Sequence, residues 1–164
     1  MKKILFLILL ISAVTQAQDK EAIQVNTILN NWHKAAAQAK FEPYMNAMTS
    51  DAIYIGTDAT ENWNKSEFMR FAKPYFDKGK AWSFTALERH VYFSKDKKTA
   101  WFDELLSTQM KICRGSGVLI KVGNDWKIQH YVLSMTIPNE KSDEVIKVKE
   151  SLEDVLIEKF KSKI

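Results

Sequence analysis

The pattern of apolar residues changes once along the chain, near residue 80. Before that point apolar residues recur every three or four positions, which is typical of amphipathic helices. This spacing predicts a long helix over residues 19–39, a shorter one starting at Phe41, and a third over residues 64–79. A short strand over residues 52–56 separates the second helix from the third.

After residue 80 the chain consists of runs rich in β-branched and aromatic residues. These runs predict four strands joined by short polar turns, among them "KDKK" and "GN": residues 81–94, 99–112, 114–122 and 125–137. Helices followed by an antiparallel meander predict an α+β fold, with the helices on one face of a curved antiparallel sheet.

The last segment, residues 139–164, is predicted to form an additional C-terminal helix. Half of its residues are charged, and its apolar residues fall on one face: Val145, Val148, Leu152, Val155, Leu156 and Phe160. We expect this helix to pack on the domain or to pair with a partner chain. Its mixed charge does not favour a membrane surface, which attracts basic helices.

The first residues have the pattern of a secretory signal peptide. Lys2 and Lys3 precede an apolar stretch over residues 4–11 that is too short to cross a bilayer, and small residues lead up to Ala17. We therefore expect a signal peptide over residues 1–17, cleavage after Ala17, and export to the periplasm or the medium. The domain itself is then expected over residues 18–138.

Charge and cysteine content exclude several kinds of function. The formal net charge is +4, and acidic and basic residues alternate along the chain, so nucleic acid is not an expected partner. Nor is a membrane expected as a partner once the signal is cleaved. Cys113 is the only cysteine, which rules out an internal disulfide, and we interpret it as a small buried residue rather than a reactive thiol beside Arg114. Neither a metal-ligand spacing nor a phosphate-binding loop occurs, so we expect no metal and no cofactor.

The predicted turns allow the strands to be aligned. In this alignment Arg89 faces Glu104, Glu104 faces Gly117, and Gly117 faces His130, so one charged row crosses the buried face. The glycine leaves room for Glu104 and His130 to approach each other. Such a row has three interpretations. It is either a self-satisfied network that fixes the strand register or a group that binds a ligand. The third is an acid–base pair in which His130 is the base and Glu104 orients it.

The same alignment assigns the remaining strand residues to two faces. The buried face is predicted to include Leu87, Phe102, Leu119, Ile128 and Val132. The other face, partly solvated or in contact with a second subunit, is predicted to include the following residues: His90, Tyr92, Trp101, Tyr131 and Leu133.

The loop "GTDATENW", residues 56–63, places two acids and a tryptophan together. Trp63 is expected either to wall a pocket or to pack in the core. Asp58 and Glu61 are expected either to face a ligand or to accept hydrogen bonds from loop amides, while Asn64 or Ser66 caps the following helix.

Two earlier helices contribute further candidates. Trp32 falls on the apolar stripe of the first helix, whereas its neighbour His33 is expected to be solvated. Tyr44, on the second helix, is a pocket candidate because a buried hydroxyl needs a hydrogen-bond partner.

Four motifs resemble those of a known group: "GTDATENW", "AWFDELL", "RGSGVL" and "WKIQHYVLS". Over residues 20–138 the chain resembles the SnoaL-like branch of the nuclear transport factor 2-like superfamily. The resemblance implies a cone-shaped sheet, also described as a cystatin-like roll, wrapped around helices with a pocket at its open end. It also implies a homodimer joined through the outer sheet face, where Tyr131 and Leu133 are expected.

Relatives in that superfamily include ketosteroid isomerases, polyketide cyclases and dehydratases. The isomerase pattern of an Asp base with Tyr and Asp donors does not match this sequence position by position, so those catalytic roles do not carry over. We expect a small organic molecule in a pocket lined by Trp32, Tyr44, Trp63, Arg89 and Asp58. The alternatives are an isomerase-, cyclase- or dehydratase-like enzyme with His130 as general base, and a non-catalytic dimeric interaction module.

Overall fold

A computed structural model describes the backbone of residues 2–162 and the side chains from Lys20 to Ser162. The predicted signal peptide, residues 1–17, lies outside the described side chains, and its cleavage stays a prediction. Within the part of the chain with described side chains, no helix is both long enough and apolar enough to span a bilayer.

Over residues 2–162 the structure has four α-helices: α1 (Lys2–Ala37), α2 (Phe41–Asn46), α3 (Lys65–Asp77) and α4 (Ser142–Lys161). The apolar spacing predicts all four, but α1 begins at Lys2 rather than at residue 19. A 3₁₀ turn, Asn139–Lys141, precedes α4. Helix α2 ends at Asn46, and the first strand begins at Met48 rather than at residue 52 as predicted. Gly79 follows α3 with φ +69°, a left-handed conformation that glycine adopts without strain.

In the described part of the backbone six strands form one sheet: β1 (Met48–Ile55), β2 (Asn62–Asn64), β3 (Thr85–Phe93), β4 (Thr99–Thr108), β5 (Lys111–Val122) and β6 (Asp125–Met135). Their order is β2-β1-β6-β5-β4-β3. The predicted meander β3–β6 is confirmed, whereas β2 was not predicted because three residues are too few to show alternation. Only β1 and β6 run parallel. The α+β fold is therefore confirmed.

Helix α1 covers the inner face of the sheet and supplies much of the core. Its buried residues are Val25, Leu29, Trp32, His33, Ala35 and Ala36. Cys113 is also fully buried, as expected for a small apolar residue.

The predicted register of β3 on β4 is confirmed at the charged row, since Arg89 pairs with Glu104. A β-bulge between Ala86 and Glu88 then interrupts the ladder, and Leu87 is 58% exposed. The prediction that Leu87 faces the core is therefore wrong, because the extra residue of a bulge leaves the alternation of the strand.

The β4–β5 hairpin is two residues tighter than predicted. Thr108 pairs with Lys111 across a two-residue turn, so Glu104 faces Gly115 rather than Gly117. The Thr108 hydroxyl stabilises this turn, since it accepts from the Met110 amide at 2.9 Å and donates to the Lys111 carbonyl at 2.9 Å. The face of each residue is unchanged, because a shift of two preserves the alternation.

A second bulge, where β6 has one extra residue opposite the step from Val118 to Leu119, reverses the predicted faces of β6 from His130 onward. The prediction that Val132 lies on the buried face is therefore wrong. Leu119 pairs with Ile128 as predicted, but beyond the bulge Gly117 pairs with Tyr131. Tyr131 and Leu133 are consequently buried in the core. The prediction that these two residues form an outer dimer face is wrong, and the homodimer itself stays a prediction.

Helix α4 buries none of its residues. Packing of this helix into the domain core is therefore not what the structure shows, and pairing with a partner chain stays a prediction. The outer sheet face carries an exposed stacked pair, Tyr92 and Trp101, with ring centroids 5.9 Å apart.

Replacing Asn64 by Ala tests the start of α3. The Asn64 side chain accepts from the Glu67 amide at 3.0 Å, and the Glu67 carboxylate accepts from the Asn64 amide at 3.0 Å, which completes a capping box. We expect Asn64→Ala to lower the free energy of unfolding by about 1 kcal/mol in urea titrations. Asn62→Ala, at an exposed residue that caps no helix, is the control, and equal losses in both variants would contradict this role.

Candidate functional site

The carboxylate of Glu104, on β4, is the centre of a cluster buried between α1 and the sheet. Its side chain is completely buried. His33 Nε2 lies 2.8 Å from Oε1, and the Tyr131 hydroxyl donates to the same oxygen at 3.3 Å. An ionised carboxylate only accepts hydrogen bonds, so His33 donates from Nε2.

Arg89, on β3, neutralises the other oxygen. Its Nε donates to Glu104 Oε2 at 2.8 Å, and Nη2 lies 2.6 Å from that oxygen as an ion-pair contact without hydrogen-bond geometry. Nη1 reaches α1, where it donates to Asn30 Oδ1 at 2.9 Å and to Asn26 Oδ1 at 3.2 Å. Residues from α1, β3, β4 and β6 thus meet at one carboxylate.

The charges of the cluster keep Glu104 ionised despite its burial. Burial by itself raises the pKa of this carboxyl, but the hydrogen bond and charge of His33, together with the charge and hydrogen bonds of Arg89, hold its pKa below the ordinary value. Burial raises the pKa of Tyr131 well above its ordinary value, and the neighbouring Glu104 charge adds to this effect. Tyr131 therefore remains a neutral donor.

A glycine makes room for the cluster, as the sequence suggested, but it is Gly115. A Cβ at this position would lie 2.9 Å from Glu104 Oε1 and would collide with the Tyr131 hydroxyl. Gly117, the predicted residue, instead lies against Phe102 and the backbone carbonyl of His130.

The structure does not bring His130 to Glu104. The bulge in β5–β6 places Tyr131 inside, so the adjacent His130 points to the opposite face of the sheet. The imidazole beside Glu104 belongs to His33, which is buried rather than solvated as expected. The predicted His130–Glu104 pair is therefore wrong as geometry, whereas the predicted Arg89–Glu104 pair is present.

Sequence reasoning missed His33 and Tyr131 for different reasons. His33 follows Val25 and Leu29 at intervals of four residues, so it belongs to a second buried ridge of α1 beside that of Trp32. Assigning a wider face of α1 to the core would have included His33.

Tyr131 depends on an extra residue in β6 between Ile128 and His130. Gly117 on the neighbouring strand is the sequence signal for it, because a Cβ there would collide with the His130 carbonyl. A glycine does not show, however, which strand holds the extra residue.

The cluster is arranged to hold elements together rather than to transfer protons. Both oxygens of Glu104 are occupied, by His33 and Tyr131 on one side and by Arg89 on the other. Of the three interpretations of this row, the self-satisfied network agrees best with the geometry. Removing one partner of a buried ion pair costs a great deal, because the remaining charge stays buried.

A separate pocket lies at the mouth of the sheet, among α3, the β1–β2 loop and the β4–β5 turn. We call it the mouth pocket, and its volume is about 150 Å³. Six aromatic rings form most of its wall: Tyr54, Trp63, Phe68, Phe71, Trp82 and Phe84. The other lining residues are Gly56, Thr57, Glu61, Gln109, Met110 and Leu133.

The rings of the wall hold one another in place. Tyr54 stacks on Phe68 with centroids 3.9 Å apart, and Trp63 stacks on Phe71 at 4.4 Å. Trp82 donates from Nε1 to the Tyr44 hydroxyl at 3.2 Å. Aromatic contacts of this kind and a hydrogen-bonded indole produce a preformed wall.

The other predicted ligand residues lie elsewhere. Trp32 and Tyr44 are buried inside the cone, where their rings stack with centroids 4.8 Å apart. Asp58 is exposed and accepts from the Thr60 amide at 2.8 Å, and its hydrogen bonds from the Thr60 hydroxyl and amide lower its pKa. Of the predicted ligand-binding residues, only Trp63 lines the mouth pocket, and Arg89 belongs to the buried cluster.

Glu61 reaches the mouth pocket because Gly56 has no side chain. A Cβ on Gly56 would collide with the Glu61 carboxylate. The loop is closed by a hydrogen bond from the Gly56 amide to the Glu61 carbonyl at 2.9 Å, and the Asp58 amide donates to Glu61 Oε2 at 3.2 Å. In the part of the chain with described side chains, no group of three His, Cys, Asp or Glu residues is arranged to hold a metal ion.

The SnoaL-like domain model matches residues 25–138, more than half of the chain. The chain belongs to the SnoaL-like domain family. Its fold is the one seen in NTF2-like proteins, as the sequence motifs suggested. No curated protein matches this SnoaL-like chain at a significant level.

Solved structures with this fold share little sequence with the SnoaL-like chain. An NTF2-like protein of unknown function from Pseudomonas putida is 12% identical, with a TM-score of 0.62 over 77% of this chain and 92% of its own. A proposed dehydratase of the NTF2-like family from Streptomyces avermitilis is 15% identical, with a TM-score of 0.63 over 74% and 99%. A proposed aromatic ring hydroxylase from Novosphingobium aromaticivorans is 11% identical, with a TM-score of 0.62 over 73% and 91%. At these identities the likeness establishes the fold alone.

Replacing Glu104 by Gln tests the structural role of the cluster in this SnoaL-like domain. The change leaves the Arg89 charge buried without its partner, so we expect a loss of about 3 kcal/mol in the free energy of unfolding at pH 7. Urea titrations measure this loss. Glu150→Gln, at an exposed residue of α4, is the control and should change stability by less than about 0.5 kcal/mol.

The ionisation of Glu104 also predicts that the difference in the free energy of unfolding between the wild type and Glu104→Gln depends on pH. The folded-state pKa of Glu104 lies below its ordinary value of 4.5, so its stabilising effect is complete above that pH and is lost as pH falls through the folded-state pKa. We therefore expect the difference in stability between the wild type and Glu104→Gln to shrink below pH 4.5. A difference that stays constant down to about pH 3 would contradict an ionised, paired Glu104.

Proposed function

We propose that this SnoaL-like domain binds a small organic molecule in the mouth pocket. The observation that carries the proposal is an aromatic-walled cavity with a single carboxylate, preformed by stacked rings. Ligand sites in proteins are typically concave, mostly apolar, and provided with a few polar groups that set orientation. The mouth pocket has these properties, whereas the buried Glu104 cluster has no free acceptor to offer.

The size of the mouth pocket restricts the ligand. An apolar cavity of about 150 Å³ accommodates one benzene-sized ring, and the mouth pocket has this volume. A four-ring steroid needs considerably more space. The proposed ligand is therefore a compact molecule of about one ring or an equally small aliphatic group.

Binding is favoured over acid–base turnover by the residues at the pocket. Among the described residues that line it, none is histidine, lysine or arginine, and Glu61 is the one carboxylate. General acid–base catalysis most often uses a histidine within hydrogen-bond reach of the reacting atoms, and the described lining of the mouth pocket contains none. His33 and Glu104, the buried pair that resembles such machinery, satisfy each other at 2.8 Å instead.

A variant that fills the pocket tests the proposal. Thr57 lies on the exposed loop and lines the pocket, so Thr57→Trp adds an indole at the pocket mouth without replacing a core residue. We expect it to weaken binding at least tenfold. The measurement is ligand-observed NMR with a panel of neutral and charged molecules of up to about ten heavy atoms.

Thr60→Trp is the matched control, because Thr60 belongs to the same loop but does not line the pocket. It should leave binding within about twofold of the wild type. The proposal fails if no member of the panel binds the wild type, or if Thr57→Trp binds as well as Thr60→Trp.

We also propose that the chain is exported and cleaved after Ala17. The support is the basic start, the short apolar stretch over residues 4–11 and the small residues before the cleavage point. Expression of the full reading frame in a bacterium should yield a periplasmic protein that begins at Gln18, as measured by intact mass and N-terminal sequencing. A full-length protein in the cytosol would contradict export.

A further inference from the structure

We propose that the mouth pocket recognises an organic cation, namely a small ammonium group carrying methyl or other alkyl substituents. This inference deepens the proposed function and rests on it, because it names the chemical class of the ligand for the same pocket. It follows from the charge of the lining and from the arrangement of the rings and the Glu61 carboxylate.

The lining of the mouth pocket carries a single charge, and that charge is negative. Its polar residues are Thr57, Glu61 and Gln109, and the rest of the lining is aromatic or apolar apart from Gly56. A carboxylate next to a low-dielectric aromatic wall attracts a positive charge more strongly than it does in open water. An anionic ligand would meet repulsion from Glu61 and would find no basic side chain in the lining.

The aromatic rings supply the second half of cation recognition. The faces of Trp, Tyr and Phe rings carry partial negative charge, and several such faces around an alkylated ammonium form an aromatic cage. Here Trp63 and Trp82 belong to different segments of chain, and both pack against Phe68, with ring centroids 5.9 Å from it in each case. An alkylated ammonium also suits this wall because its methyl groups need no hydrogen bonds.

The Glu61 carboxylate has no cationic partner of its own. Among the residues with described side chains it makes no ion pair, and the one hydrogen bond assigned to its side chain comes from the Asp58 amide. Gly56 provides the space in which this carboxylate lies. The effect of Glu61 reaches into the pocket, since burial raises the pKa of Tyr54 and the Glu61 charge raises it further.

A pair of molecules with the same shape but different charge tests the inference. Choline and 3,3-dimethylbutan-1-ol differ in that a carbon replaces the quaternary nitrogen, so any difference in affinity reports on charge. We expect the wild type to bind choline at least tenfold more tightly than the alcohol, as measured by isothermal titration calorimetry at low ionic strength. In Glu61→Gln this preference should fall to about twofold or less.

Asp58→Asn is the matched control for Glu61→Gln. It removes one negative charge from the same loop, but Asp58 does not line the pocket and Asn retains an oxygen for the Thr60 amide. The preference for choline should survive in this variant. If Asp58→Asn loses the preference for choline to the same extent as Glu61→Gln, the preference comes from the overall negative charge of the loop and not from Glu61. That result would overturn the inference.

The outcomes separate this inference from the proposed function. Equal affinity for the two molecules, a preference for the alcohol, or binding of neutral aromatic molecules without binding of choline would overturn the cation while leaving a ligand pocket in place. Failure of every small molecule to bind would overturn the proposed function as well. Choline binding that Thr57→Trp leaves unchanged would place the cation outside the mouth pocket and would also overturn the inference.

Discussion

The structure depends on one buried carboxylate that ties four elements together. Glu104 accepts from His33 of α1 and Tyr131 of β6, and pairs with Arg89 of β3, so the helix that covers the sheet is fixed to three of its strands. Each oxygen of Glu104 has a partner, so the buried negative charge is compensated. The pKa of Glu104 therefore stays below its ordinary value. Removing any partner would leave a polar group buried without compensation.

The proposed ligand pocket lies apart from this buried carboxylate. The interior of the cone is filled by stacked rings such as Trp32 and Tyr44, and by the Glu104 cluster. The mouth pocket lies at the edge of this interior, where Gly56, the β1–β2 loop and α3 leave a cavity walled by other rings. Trp82 connects the two regions, because its indole lines the pocket and donates to the buried Tyr44 hydroxyl.

The sequence predicts the elements and the fold well because periodicity and turn residues are local signals. The helices, the meander β3–β6, and the Arg89–Glu104 pairing follow from spacing and from the "KDKK" turn. Features that depend on a single extra residue do not. The extra residue in β6 between Ile128 and His130 places Tyr131 rather than His130 in the core, so the imidazole beside Glu104 is that of His33. Gly117 packs against this bulge, but a glycine does not show which strand holds the extra residue.

A crystal structure of protein isolated directly from its native cells tests most directly whether the ligand lies in the mouth pocket and the Glu104 cluster is structural. We expect electron density for a compact molecule between Trp63 and Trp82, in contact with the Glu61 carboxylate. Glu104 should keep its hydrogen bond to His33 and its ion pair with Arg89. Density for a molecule that displaces His33 or Arg89 from Glu104, with an empty mouth pocket, would contradict both expectations.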